Sequence, residues 1–169
     1  MSSTLESFAA DCHDLLKAEP DGGGQRKICA RLKDLLKDRD FVAAQLGPQA
    51  EGERRILYRD PELGFCILAH VYKGPKSSSP HDHGPSWAIY GQALGETRMT
   101  EYRKLAAPKN GKPGLAAPVE TYTLKPGDAV YYEIGQLHAP EREGETRLIR
   151  IEGSDLSKVK RDEYRVVAG

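Results

Sequence analysis

The sequence predicts a mainly β protein, an antiparallel sandwich or barrel of short strands under an N-terminal helical cap. Three observations predict it. Apolar residues recur at helical spacing only before residue 50. Beyond it, short runs rich in β-branched and aromatic residues alternate with Gly/Pro turns. Little helical pattern separates those runs, which argues against βαβ units and for a sandwich or barrel. The 169 residues suffice for one domain with a substantial core, read as a cap over 1–50 and a barrel over 51–169.

In chain order, Ser3 and Glu6 read as a capping box ahead of Phe8, Cys12, Leu15 and Leu16. Pro20 and the run DGGG end that helix. A second helix carries Ile28, Leu32, Leu35 and Leu36 on one face, and a short third one around Phe41–Leu46 stops at Gly47-Pro48. The three share the look of a layer with one apolar side packed on something else. RRILYR, the more apolar FCILAHVY, WAIYGQALG and ETRMTEYRKL then read as strands. The Pro/Gly/Lys-rich segment 106–118 reads as an exposed excursion. VETYTL, the turn KPGD, AVYYEI and TRLIRIEG complete the barrel.

Composition excludes several classes. Lys+Arg and Asp+Glu are both 25, so binding to nucleic acid or anionic membranes by bulk charge is not expected. The longest apolar run is far short of a membrane span, and the N-terminus lacks a signal-peptide pattern. Cys12, Cys29 and Cys66 are scattered, without a C-x-x-C pair, so neither a disulfide framework nor a zinc–thiolate site is expected. A reduced, cytoplasmic protein is the expectation.

The histidines carry the chemistry. His81 and His83 stand two apart in SSSPHDHGP, just ahead of a strand, so an extended backbone points both to one side. His138 follows a turn and a strand of suitable length to return to the same end. Three neutral imidazoles on a rigid β scaffold make a facial ligand set for a divalent transition metal and leave positions open. A bare H-x-H is otherwise a surface-loop feature; the third histidine changes the balance. Mid-strand His70 reads as structural, His13 as lying on a polar helix face, and Cys66 as a buried small hydrophobe. Trp87, Tyr90, Tyr102, Tyr122, Tyr131 and Tyr132 read mainly as barrel packing, with Tyr131 or Tyr132 as a candidate pocket hydroxyl. Glu96 and Glu133 are candidates for extra metal ligands or acceptors for the histidine N–H groups, and equally for surface ion pairs.

These residues resemble the two motifs of the cupin superfamily, G-x5-H-x-H-x(3,4)-E-x6-G and G-x5-P-x-G-x2-H-x3-N. His81, His83 and Gly95 fit the first, with Ala88 at the glutamate position and Pro75, next to Gly74, at the first glycine. Gly127, Gly135 and His138 fit the second, with Glu133 for the proline and Arg142 for the asparagine. The resemblance covers residues 55–152 and implies a double-stranded β-helix, the jelly-roll barrel, with His81, His83 and His138 as metal ligands. Without the glutamate, the site is similar to the three-histidine iron centre of the cysteine dioxygenase-like, or thiol dioxygenase, branch, which SSPHDHG also resembles. Carried back without a gap, the match brings Arg55 to the arginine that grips the substrate carboxylate in that branch. Arg54 or Arg59 are alternatives, and a solvated strand edge is the competing reading of all three.

That resemblance implies an Fe(II)-dependent dioxygenase taking a small thiol-bearing carboxylic acid and O2 to a sulfinate. Ala88 also stands where relatives in that branch carry a cross-linking cysteine, and Leu148, Arg150 and Glu152 stand where many carry a Ser-x-His-x-Tyr triad. The outer network and the substrate therefore depart from cysteine dioxygenase itself. The alternatives are a three-His cupin acting on a non-thiol substrate such as a β-diketone, a Zn or Ni hydrolase, isomerase or lyase, and a non-catalytic metal or ligand binder. The expected partners are a small-molecule substrate and O2, with no nucleic acid and no membrane, in a monomer or homodimer.

Overall fold

The computed structural model describes residues 3–168. Three helices come first: α1 (Leu5–Ala18), α2 (Gly23–Leu35) and α3 (Arg39–Leu46). Ten strands follow: β1 (Arg55–Arg59), β2 (Cys66–Tyr72), β3 (Lys76–Ser77), β4 (Ala88–Leu94), β5 (Thr97–Ala106), β6 (Gly114–Leu124), β7 (Ala129–Tyr132), β8 (Leu137–Arg142), β9 (Thr146–Glu152) and β10 (Tyr164–Val166). They form two five-stranded sheets, ordered β1-β2-β9-β4-β7 and β10-β6-β5-β8-β3. All pairings are antiparallel except β10 with β6. The two sheets make a jelly-roll barrel, and the helices cover the outer face of the first.

The helix boundaries follow local hydrogen bonding. The box at the start of α1 is Thr4 with Ser7, not Ser3 with Glu6. The Thr4 hydroxyl accepts from the Ser7 N–H, and the Ser7 hydroxyl from the Thr4 N–H, both at 3.0 Å. Ser3 instead donates its N–H to Asp38 at 2.9 Å. The buried Gln25 side chain ties the Pro20–Gly24 turn by accepting from Gly22 N–H and donating to the Pro20 carbonyl, each at 2.9 Å. Asp38 caps α3 by accepting from the Asp40 and Phe41 N–H groups.

The sheet under the helices is buried on both sides, and its strands divide their residues accordingly. Ile67, Ala69 and Val71 of β2, Ile89 of β4, and Ile149 and Ile151 of β9 pack with Phe8, Ile28, Leu32, Leu35 and Phe41 of the helices. The alternate residues face the barrel interior, where Ala88, Tyr90 and the neighbouring Tyr132 of β7 meet Met99 and Leu124 from across the barrel. Segment 106–118 departs from expectation, because β6 begins at Gly114 and only 107–113 remains a loop. Ala116 and Ala117 are buried, held by pairing to β5 and, for Ala116, to β10. Small residues that look like loop composition are what this close strand packing requires.

Among the described residues no helix is long and apolar enough to cross a membrane. The helical layer lies tight against the sheet at Gly91, where an added Cβ would come within 2.6 Å of Leu32 Cδ2 and 3.0 Å of Leu36 Cδ1. Gly91→Ala is therefore expected to destabilise the protein by about 1–3 kcal/mol, the range for overpacking a filled core, read as a lower urea midpoint at unchanged slope.

Candidate metal centre

Backbone pairing builds the site before any side chain does. His81 N–H donates to the His138 carbonyl, and His138 N–H to the His81 carbonyl, both at 3.0 Å. This bridge ties the loop ahead of β4 to β8 in the opposite sheet. The turns that deliver the histidines rely on glycines of positive φ, Gly127 at 98° and Gly135 at 81°. His83 joins from the same loop. Its ring stacks on that of His138 with centroids 5.0 Å apart, and the ring of His81 lies edge-on to both.

The imidazole nitrogens converge. One nitrogen from each of His81, His83 and His138 lies within 4.8 Å of the others, and all three residues are buried. His81 Nδ1–H donates to the Ser79 carbonyl and His138 Nδ1–H to the Gln136 carbonyl, each at 3.0 Å. Those bonds fix the tautomers and leave Nε2 as the lone pair. His83 Nε2 and His138 Nε2 are 3.0 Å apart. Imidazoles bound to one metal at about 2.0–2.1 Å hold their nitrogens about 3 Å apart, so the donor set fits a divalent cation without rearranging this pair. Burial, with the charge of Arg161 second, presses the His81 pKa down to about 3. Burial and then the charge of Arg150 press His83 down as well. The imidazoles are thus held neutral, the form a metal needs.

Two residues weighed chiefly as packing turn out to complete the site. The Tyr90 hydroxyl lies 2.8 Å from His83 Nε2 and 3.1 Å from His138 Nε2. Burial raises its pKa, so the phenol keeps its proton. The Tyr132 ring stacks on His138 with centroids 4.0 Å apart, and its hydroxyl meets that of Tyr122. Arg150 is buried with its guanidinium 4.4 Å from the Tyr90 ring centroid, and Arg142 with its own 4.6 Å from that of Tyr72. Glu152, buried at the rim, accepts two bonds from Arg54 at 3.1 and 3.0 Å. The signal for Arg150 was the alternation of β9 itself: residues 148, 150 and 152 share the interior face.

Other residues singled out in the sequence point away from the histidines in this structure. Arg55 pairs with Ala69 on the face toward the helices, and its Nη2 donates to the Gln45 carbonyl at 2.8 Å, at the end of α3. Arg54, the residue just before β1, is the one that reaches the barrel rim, at Glu152. Arg59 is also turned away, toward Asp155 at 2.6 Å. Tyr131 packs with the helical layer under Arg26, because its neighbour Tyr132 takes the interior. Glu133 pairs with Arg26 at the surface, Glu96 is exposed, and neither joins the histidines.

A cleft of about 400 Å³ opens beside His83, lined by Arg54, Glu152 and, from the C-terminal segment, Leu156, Ser157, Val159 and Arg161. A groove of about 720 Å³ elsewhere, along Ala106–Leu115, holds none of the three histidines.

No protein-family model matches this chain, and no curated protein matches it. Similar solved structures include KdgF from Halomonas sp., 18% identical with a TM-score of 0.44, the match covering 59% of this chain and 74% of that one. A cupin superfamily protein from Desulfitobacterium hafniense is 15% identical with a TM-score of 0.45 over 63% of this chain and 84% of its own. The cupin domain of Schizosaccharomyces pombe Cnp3 is 10% identical with a TM-score of 0.46 over 64% and 71%. The two sheets of this chain make a jelly-roll β-barrel, and its three-histidine group suits a divalent metal.

Two outcomes follow. Arg55→Ala is expected to lower thermal stability slightly, through loss of the bond at the end of α3, and to leave metal content unchanged by elemental analysis. Metal-free protein is expected to lose stability as pH falls from about 6.5, the ordinary histidine value, toward 3. Over that window the unfolded chain takes up protons that folded His81 refuses, so stability rises with pH. Urea midpoints measured from pH 7 to pH 4 check this; a flat profile would contradict it.

Proposed function

We propose that this protein is an Fe(II)-dependent dioxygenase that converts a small thiol-bearing carboxylic acid and O2 to the sulfinate. The observation that carries the proposal is the charge of the site. Its histidine ligands His81, His83 and His138 are neutral, Ala88 takes the place of an acidic ligand, and Glu152, which lines the cleft beside His83, is occupied by Arg54. Such a centre favours an anionic ligand, and a thiolate acid brings two negative charges.

Iron(II), when bound, supplies the Lewis acidity that makes a thiolate at neutral pH and the redox contact with O2. The net reaction adds both oxygen atoms to sulfur and needs no other reductant. The protein positions and excludes. The Ser79 and Gln136 carbonyls hold two imidazoles in register. Tyr90 keeps a protonated hydroxyl beside His83 and His138, ready to donate to an anion bound there. Tyr132, stacked on His138, closes one wall against water. Arg161 at the cleft, where Arg54 and Glu152 offset one another, gives an approaching anion a positive rim.

A second reading rests on Leu148, Arg150 and Glu152, which replace a Ser-x-His-x-Tyr network and favour a non-thiol substrate on a Zn or Ni centre. Elemental analysis of protein purified without added metal separates the two: iron supports the first, zinc or nickel the second. Fe(II)-loaded protein is expected to consume O2 with at least one of a panel of thiol acids; no consumption with any of them overturns the dioxygenase. His138→Ala is expected to weaken metal retention beyond the about 10–100-fold typical of losing an outer partner. Retention at the wild-type level would exclude the three-ligand assignment.

A further inference from the structure

The barrel interior holds two buried arginines whose hydrogen bonding is incomplete. Arg150 lies on β9 and Arg142 on β8, strands of opposite sheets, so the two cations face one another across the interior. Their relative exposures are 5% and 4%. Arg150 Nε and Arg142 Nη2 are buried with no hydrogen-bond partner among the described residues. Arg142 donates through Nε to Thr97 Oγ1 at 3.2 Å and meets no carboxylate. The carboxylate nearest Arg150 is Glu152, 3.7 Å from Nη1, and both of its oxygens already accept from Arg54. His70 Nε2 is also unpartnered, but its Nδ1 faces the Glu53 carbonyl, so Nε2 is an acceptor and adds no donor.

Two buried guanidinium groups, one with no carboxylate and the other beside a carboxylate already committed to Arg54, are costly. The faces of Tyr72 and Tyr90 offset part of that cost and satisfy none of the open N–H groups. A planar anion with two acceptor oxygens matches a guanidinium edge better than a spherical ion does. The same Tyr90 ring that lies against Arg150 carries the hydroxyl beside His83 and His138, so an anion at Arg150 sits next to the proposed metal centre.

We propose that Arg150, with Arg142 facing it, forms an interior carboxylate-binding site behind the three histidines, and that this site takes the carboxylate of the substrate. The assignment to substrate rests on the function proposed above; the site itself does not need the metal. Arg150 thereby takes the anchoring part that the sequence resemblance gave to Arg55.

Calorimetric titration of the metal-free, full-length protein tests it. Propionate is expected to bind one to one, and propionamide, which keeps the shape and loses the charge, not to bind. Arg150→Met is expected to weaken propionate binding about tenfold or more, equivalent to about 1.4 kcal/mol, and Arg150→Lys to recover part of it. Arg55→Ala, on the helix side of the sheet, is expected to leave it unchanged. Because a core variant can misfold, side-chain NMR of the wild-type protein gives a second reading. One buried arginine Nε–H resonance is expected to move on addition of propionate and to stay still with propionamide. Equal binding of propionamide, tighter binding of chloride than of propionate, or an unmoved Nε–H resonance overturns the site. Propionate binding without O2 consumption on any thiol acid upholds the site and rejects the dioxygenase. O2 consumption without propionate binding does the reverse.

Discussion

The register of β9 is the constraint on which the rest depends. Its seven residues are all buried, and it is hydrogen-bonded on one side to β2 and on the other to β4. Ile149 and Ile151 go to the helical layer, while Leu148, Arg150 and Glu152 go to the barrel interior. A slip of one residue would drive Arg150 and Glu152 into the apolar layer and pull two isoleucines inside. The helical cap fixes this choice. It offers Phe8, Ile28, Leu32 and Phe41 to one face of the sheet, which leaves the other face as the place where charge is tolerated. The packing of α2 on Gly91 and the position of Arg150 beneath Tyr90 are thus two results of one pairing.

The same division explains which parts of the molecule were legible in the sequence. The helices declared themselves by periodicity, and the long strands by β-branched and aromatic runs. The three histidines stood out because their spacing repeats a known pair of motifs and because the chain has few others. Less legible was anything decided by a single-residue parity. Arg54 and Arg55 are adjacent and chemically identical; only strand direction separates a rim ion pair from a helix-end contact. Tyr131 and Tyr132 pose the same choice. A sheet buried on both faces does not show the apolar/polar alternation that would have settled it, since Tyr and Ala are acceptable on either side.

Arg150 was hidden for a different reason. It was noticed as a residue standing where another network was expected, so its presence read as an absence. In isolation TRLIRIE looks like a strand with its charges in water. Only the second sheet, which closes over Tyr90 and Tyr132 with Met99 and Leu124, turns that charged face inward. The loop 106–118 failed in the opposite sense, since its glycine and alanines signalled a turn while serving close packing against β5 and β10. Both errors come from long-range pairing, which local composition does not encode.

The cleft is made of two kinds of chain. One wall is sheet, with His83 held near the bridge between His81 and His138, and Glu152 at the end of β9. The other is the irregular stretch between β9 and β10, which carries Leu156, Ser157, Val159 and Arg161. That stretch belongs to no ladder, yet it is moored at one end by the β9 pairings and at the other by the parallel pairing of β10 with β6. Leu156, Ser157 and Val159 can therefore be exchanged without disturbing a strand register, whereas Arg161 also bears on His81 through its charge. The barrel holds its imidazoles on a frame of ladders and one wall of the cleft on a hem outside every ladder, so the mouth of the cleft can be reshaped by substitution while the frame stays in register.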